Sequence, residues 1–239
     1  MKLRSAIIMI GTKNYAYPVR RAIEAFRANN RPIDIVMISE DMEAGDLPEG
    51  VIIHRPNVKA YEGIPKPPSW PRLVYYRFDS LLMGYDKVTF LDADELVLED
   101  VSEIIYSEHP VSAIMELTHN DLPPMFNIGM FSIMPDKFPG LFDRLISLSK
   151  TRYRLNEMSV LNEWVKRDNI DIFYHDQSCD VIKRAYVYKK KWWNLNKDKI
   201  KVLHYVGSPK PWDGDEWQYE ALHEFWREYK PGNQLPEAV

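Results

Sequence analysis

Two aspartates follow a predicted buried strand near the middle of the chain. Residues 87–91, KVTFL, are strand-forming, and Asp92 and Asp94 come directly after them, separated only by Ala93. Because side chains alternate along an extended backbone, the two carboxylates lie on the same side at the end of the strand. Such hard oxygen ligands suit Mg²⁺ or Mn²⁺ with a diphosphate on the remaining positions. The segment therefore predicts a metal site in an enzyme that uses a nucleotide-activated substrate.

The strand before this pair matters more than the spacing of the aspartates. A second Asp-x-Asp, Asp213 and Asp215, occurs in PWDGDEW without a strand before it, so the spacing alone is weak evidence. The alternative is that Asp92 and Asp94 cap a turn after a buried strand, which requires no ligand.

Strands alternate with helices on both sides of this pair. The predicted strands are 5–11, 33–39, 51–54, 87–91, 111–116, 127–134 and 201–206, and the predicted helices are 17–29, 73–84, 101–106, 137–150, 157–168 and 216–229. This order predicts an α/β fold with a Rossmann-like mixed sheet, largely parallel at first and flanked by helices. We see no internal repeat and no linker, so residues 1–239 are predicted to form one domain.

The amino-acid composition makes some classes of protein improbable and favours others. The chain has 239 residues, of which 45% are hydrophobic, enough for one sizeable core. Its net charge of -4 does not suggest a nucleic-acid-binding protein, whose footprint is basic. The single cysteine, Cys179, is predicted to be a buried inert thiol. The first apolar run, 6–10, is too short for a signal-peptide core or a membrane span, which favours a cytoplasmic protein.

Four segments resemble, in order, the signatures of glycosyltransferase family 8. They are TKNYAY (12–17), YYRFDSLLMGYDKVTFLDADELVLED (75–100), FNIGMF (126–131) and HYVGSPKPW (204–212). The resemblance implies a GT-A fold, a metal-bound nucleotide-sugar donor and retention of anomeric configuration. The implied activity is transfer of a hexose from UDP-glucose or UDP-galactose to an unknown glycan, protein or lipid-linked acceptor.

The resemblance also implies roles for individual residues. Asp92, Asp94 and His204 would hold Mn²⁺ or Mg²⁺, and Lys210 would place a positive charge on the donor diphosphate. The other implied donor-binding residues are Thr12, Asn14, Tyr15, Tyr17, Arg77, Ala93, Asn127, Gly129 and Gly207. Without these flanking signatures, His204 would be interpreted as a core histidine and Arg77 as a helix-surface arginine.

The catalytic segment departs from the family pattern, which is Asp-Gln followed shortly by Leu-Asn. The matching stretch is NEMSVLN (156–162), with Glu157 at the position of the Asp and Met158 at that of the Gln. A separate Asp176-Gln177 occurs in YHDQSCD. Glu157 fits better by its distance along the chain from His204, and Asp176 with Gln177 is the fallback.

Two other functions remain open at this point. A sugar-phosphate nucleotidyltransferase would also use a metal, but it requires a Gly-rich phosphate loop, and IMIGTKNYAY (8–17) is poor in glycine. A non-catalytic nucleotide-sugar-binding protein is compatible with the altered catalytic segment. The basic run KRAYVYKKKWW (183–193) either binds an acceptor or, as we favour, is a solvated basic face with aromatic side chains packed beneath it. The last helix either forms an acceptor platform or, as we favour, docks on the core.

Overall fold

The computed structural model describes residues 3–65, 72–115, 125–151, 156–214 and 217–238. Its strands are β1 (Ser5–Ile10), β2 (Asp34–Ile38), β3 (Ile52–His54), β4 (Lys87–Phe90), β5 (Glu95–Val97), β6 (Val111–Met115), β7 (Phe126–Ile133), β8 (Phe173–His175), β9 (Val181–Ile182) and β10 (Val202–His204). Its α-helices are α1 (Ala16–Asn29), α2 (Ser102–Ile105), α3 (Leu141–Thr151), α4 (Glu157–Asp168), α5 (Arg184–Tyr188), α6 (Lys190–Asn196) and α7 (Glu220–Glu228).

The main sheet has seven strands in the order β3-β2-β1-β4-β7-β6-β8. The first four are parallel, and β7 is antiparallel to both of its neighbours, which confirms the predicted mixed sheet. From β1 the chain runs outward through β2 and β3, and it then returns to β4 on the other side of β1. Ligands of open α/β sheets bind beyond the carboxyl ends of the strands where the order reverses, which here are the ends of β1 and β4.

Strand β1 is buried on both faces, because its alternate side chains enter two different cores. Ile8 packs in the core that includes Val88 and Phe90, whereas Ile7 packs in the core that includes Val19 and Ile23 of α1. Helix α1 also confirms the helix predicted over 17–29. A continuous apolar strand of this kind is expected where helices cover both faces of a parallel sheet.

A second sheet of three strands, in the order β5-β10-β9, lies beside the end of β4. Only four residues, 91–94, connect the end of β4 to β5, so this sheet is anchored next to the two aspartates. Strand β10 is antiparallel to β5 and parallel to β9. The sequence predicted β10 but not β5, β8, β9, α5 or α6.

Several predicted segments need adjustment. Residues Arg72–Leu82 form a 3₁₀ helix where an α-helix over 73–84 was predicted. Helix α3 begins later than predicted, because Gly140 has φ +75°, a left-handed conformation that interrupts a helix. Of the predicted last helix, Glu216 lies outside the described residues, as does Asp215 of the second Asp-x-Asp.

Side chains of the basic run and the last helix pack as we favoured. Tyr186 and Trp193 are buried, as are Leu222 and Trp226 of α7. Cys179 is also buried, and this burial raises the pKa of its thiol to about 12. Among the described residues we find no helix with the length and apolar character needed to cross a membrane. The cytoplasmic location stays a prediction.

Candidate active site

A cavity of about 330 Å³ opens at the carboxyl ends of β1 and β4, where the strand order reverses. Nine of the predicted site residues line it: Thr12, Tyr15, Arg77, Asp92, Ala93, Asp94, Glu157, Gly207 and Lys210. They come from the loop after β1, the 3₁₀ helix, the end of β4, the start of α4 and the loop after β10. The fold therefore brings together residues that lie far apart in the sequence.

Asp92 and Asp94 line this cavity, and His204, which is buried and does not line it, lies against both. Nε2 of His204 lies 3.4 Å from Oδ1 of Asp94 and 3.8 Å from Oδ2 of Asp92. Two ligands of one octahedral ion, each about 2.1 Å from it, stand at most about 4.2 Å apart. These separations and the oxygen and imidazole donors fit one shared divalent cation. The residues of this cluster can therefore hold a metal.

The carboxylates around His204 favour its protonated, positively charged form. Burial by itself lowers the pKa of His204, but the charges of Asp94, Asp180 and Glu95 raise it well above its usual value. Burial likewise opposes ionisation of Asp94, yet His204 and Lys210 hold the pKa of that carboxyl well below its usual range. A metal must displace the imidazolium proton, so we expect metal binding to weaken as the pH falls.

The loop after β10 carries Lys210 into the site. Its ammonium donates hydrogen bonds to the Asp94 carboxylate and, at 2.8 Å, to the carbonyl of Tyr205. Gly207, in the same loop, has φ +76°, a conformation that favours glycine. Beneath the loop, the buried Lys183 donates to the carbonyl of Pro209. The loop is thus held by side chains that join it to two other parts of the chain.

Arg77 lies between two carboxylates rather than on the helix surface. Its guanidinium donates to Oδ1 of Asp92 at 2.8 Å and lies 3.7 Å from Oε1 of Glu157. It also lies 5.1 Å from the centroid of the Phe90 ring. Arg77 is buried, so this contact fixes the position of Asp92 relative to Glu157.

The structure separates the two candidate catalytic acids. Glu157 is the first residue of α4, after an Asn156 cap that accepts from the Ser159 amide, and its carboxylate lines the cavity. Burial, opposed by Arg77, raises the pKa of Glu157 to about 6. Asp176 instead accepts from the amide of Ser178 and, with Gln177, is not among the cavity-lining residues.

Four predicted donor-binding residues lie away from the cavity surface. Asn14 and Tyr17 are exposed, and Tyr17 is in the first turn of α1. Asn127 and Gly129 of β7 lie behind His204: Nδ2 of Asn127 is 3.3 Å from Nδ1 of the imidazole. A direct contact of these four residues with the donor stays a prediction.

The sequence reasoning missed two buried carboxylates on the far side of His204. Oε1 of Glu95 and Oδ1 of Asp180 each lie 3.3 Å from Nδ1 of His204. Burial raises the pKa of both carboxyls, and the proximity of Asp180 raises that of Glu95 further. Glu95 carried a signal, since it stands in a short apolar run directly after the two aspartates; Asp180 carried none that we recognise.

Solved structures of similar fold are glycosyltransferases. The galactosyltransferase LgtC, in a crystal structure with donor and acceptor sugar analogs, aligns with a TM-score of 0.71 at 18% identity, covering 95% of this chain and 98% of that one. The glycosyltransferase GlyE of Streptococcus pneumoniae aligns with a TM-score of 0.72 at 18% identity, covering 95% of this chain and 60% of that one. The fold is the GT-A glycosyltransferase fold, as the sequence resemblance implied.

Sequence comparison then identifies the family. Residues 6–216 match the model of Glycosyl transferase family 8, and the chain belongs to this family. Glycogenin-1 of Caenorhabditis elegans is 26% identical over 215 residues, which cover 86% of this chain and 43% of that protein. Glycogenin-2 of Saccharomyces cerevisiae is 26% identical over 172 residues, covering 61% and 43%. The chain therefore spans less than half the length of the glycogenins it matches.

Proposed function

We propose that this chain is a retaining, metal-dependent hexosyltransferase whose donor is a nucleotide diphosphate sugar, and that residues 1–239 form one such domain. UDP-glucose and UDP-galactose are the favoured donors, a choice that rests on the family resemblance and on the similarity to a galactosyltransferase. The acceptor is a glycan, a protein or a lipid-linked sugar. The observation that carries the proposal is the Asp92, Asp94 and His204 cluster at a cavity that also contains Lys210 and Glu157.

The donor set favours Mn²⁺ over Mg²⁺, because Mn²⁺ accepts imidazole together with carboxylate oxygens. When bound, the ion supplies Lewis-acid stabilisation to the diphosphate leaving group. Asp92 and Asp94 provide two oxygen ligands, and His204 provides Nε2. Because His204 is buried in the centre of a three-stranded sheet, its ring position is set before any ligand arrives.

Residues of two loops bind the rest of the donor. The ammonium of Lys210 moves from Asp94 toward the diphosphate, where negative charge increases as the glycosidic bond breaks. Gly207 lets the backbone approach the phosphates. Thr12 and Tyr15, after β1, contact the nucleoside, and the Tyr15 ring, 44% exposed, stacks on the base. The edge-on packing of Tyr15 against Trp212, with centroids 6.2 Å apart, supports that orientation.

Glu157 is the carboxylate that faces the reacting sugar. Retention requires either a protein nucleophile on the face opposite the leaving group or departure and attack on one face. Glu157 lines the cavity, and Arg77 ties it to the metal-binding Asp92. Met158 has no amide oxygen to stabilise positive charge at the anomeric carbon, so in either route that task falls to the Glu157 carboxylate.

Calorimetry and turnover measurements with Asp94→Ala test this function. We expect the variant to fold, to lose transfer and donor hydrolysis, and to bind UDP more weakly in the presence of Mn²⁺. Asp213→Ala is the matched control, because Asp213 belongs to the chain's other Asp-x-Asp and is exposed. Equal UDP affinity for Asp94→Ala and the wild type, with Mn²⁺ present, would refute the metal-dependent donor site. Release of pyrophosphate from a nucleoside triphosphate would instead indicate a nucleotidyltransferase.

A further inference from the structure

Two adjacent strands and the residue that directly precedes a third place three ionisable side chains on one buried face of the small sheet. In the antiparallel pair of β5 and β10, Glu95 is directly opposite His204. In the parallel pair of β10 and β9, His204 is opposite Ile182, and Asp180 stands two residues earlier on the same side. Directly opposed and diagonal neighbours on one face are within reach of each other. The imidazole is therefore flanked by a carboxylate of β5 and by one from the residue that directly precedes β9.

Both carboxylates are enclosed, and their partners are few. Glu95 has no measurable exposure, Asp180 is 2% exposed and His204 is 3% exposed. Oε2 of Glu95 accepts the Asp92 amide at 3.0 Å, but its Oε1 and both oxygens of Asp180 have no conventional hydrogen bond among the described residues. Oε1 of Glu95 and Oδ1 of Asp180 are each 3.3 Å from Nδ1 of His204, which makes the imidazole their natural partner.

The backbone of β7 leaves room for this arrangement. A Cβ atom on Gly129 would overlap Oε1 of Glu95 and would lie 2.9 Å from its Cδ and 3.1 Å from Nδ1 of His204. Only a residue without a side chain can occupy that position while Glu95 reaches the imidazole. Gly129, which the resemblance assigns to the donor site, also lies directly against Glu95 and His204.

We propose that Glu95 and Asp180 are positioning residues that hold the proton of His204 on Nδ1, so that the lone pair of Nε2 faces Asp92 and Asp94. The inference rests on the proposed metal site and adds residues behind it. Nδ2 of Asn127, at 3.3 Å, favours the opposite tautomer, because it can donate to Nδ1. An ionised carboxylate at the same distance outweighs one neutral donor, since charge-assisted hydrogen bonds are about twice as strong.

The test is Mn²⁺ binding, measured by electron paramagnetic resonance on protein without nucleotide. Asp180→Asn and Glu95→Gln preserve shape and remove charge. Each should raise the Kd for Mn²⁺ by about 10- to 100-fold, the usual effect of losing a carboxylate behind a metal-binding histidine. Echo-detected spectra of the wild type should show coupling of Mn²⁺ to an imidazole nitrogen, and this coupling should diminish in both variants. A purely structural role would not alter that coupling in the fraction that binds Mn²⁺.

Asp79→Asn is the matched control, because Asp79 is a buried aspartate that contacts Tyr61 and Asn57 and lies outside the cluster. It should leave the Mn²⁺ affinity and the nitrogen coupling unchanged. Variants that bind Mn²⁺ like the wild type would overturn the positioning role and leave the proposed function standing. Two coupled Mn²⁺ ions per chain would also overturn it, because Nδ1 would then be a ligand. A wild type without Mn²⁺ affinity would overturn the metal-dependent function itself.

Discussion

Gly129→Ala should damage the site through steric overlap alone, without removing any functional group. The added methyl group would overlap Glu95, which has no measurable exposure, and β7 is buried along its whole length. Overpacking of a core costs about 2 kcal/mol. Displacing Glu95 breaks its hydrogen bond from the Asp92 amide and leaves a buried group without a partner, which costs about 2 kcal/mol more. For a chain of this size, a loss of about 4 kcal/mol lowers Tm by about 8–16 °C.

A double-mutant cycle can separate this clash from a general weakness of β7. Thermal and urea unfolding should be measured for Gly129→Ala, Glu95→Ala and the double variant. Because Glu95→Ala removes the overlapping atoms, the double variant should be more stable than the sum of the single losses predicts, by about 1–3 kcal/mol. The reasoning is refuted if Gly129→Ala melts with the wild type, or if the two losses simply add.

Three further perturbations address the cavity and the core. Lys210→Ala should lower kcat more than UDP affinity, because its contact strengthens as charge develops on the diphosphate; a change in KM alone would contradict this. With a pKa of about 6, Glu157 is ionised above that pH and protonated below it. At saturating Mn²⁺ the rate should therefore fall as the pH drops through about 6. Glu157→Gln should lower the rate about 100-fold at neutral pH and remove this fall of the rate near pH 6. Asp176→Asn should retain activity. Cys179 should resist thiol reagents at pH 8 until the protein is unfolded, as a colorimetric thiol assay would show, because its pKa is about 12.

Long elements whose own residues show a clear apolar pattern were predictable from the sequence. Strand β1 has an uninterrupted apolar run, and α1 repeats apolar residues at helical spacing, so each defines its buried surface locally. Strands β5 and β9 have three and two residues, and within the described part of the chain each pairs with β10 alone. No local pattern marks so short a strand, because its stability comes from partners distant in the sequence.

The same distinction applies to the site. Asp92 and Asp94 were predictable because the strand that positions them precedes them directly. The supporting contacts of His204 were not, because Asp180 reaches it only after β9 has paired with β10. Tyr17 was predicted from the resemblance to contact the donor, but its position in α1 leaves it exposed. Patterns of neighbouring residues in the sequence indicated where the cavity lies. The pairing of strands that are distant in the sequence determines which side chains support it.

The pairing of Glu95 with His204 makes the metal site sensitive to how β10 docks. Side chains alternate along a strand, so a slip of one residue would place Leu203 at the cluster and turn the imidazole to the opposite face. Leu203 belongs to the apolar core of the small sheet, and the slip would also remove it from there. In the proposed metal site, His204 is in place only when β10 is correctly paired, and a ligand stabilises the state that binds it. Metal binding at this site would thus stabilise the native pairing of β10 relative to a pairing that is shifted by one residue.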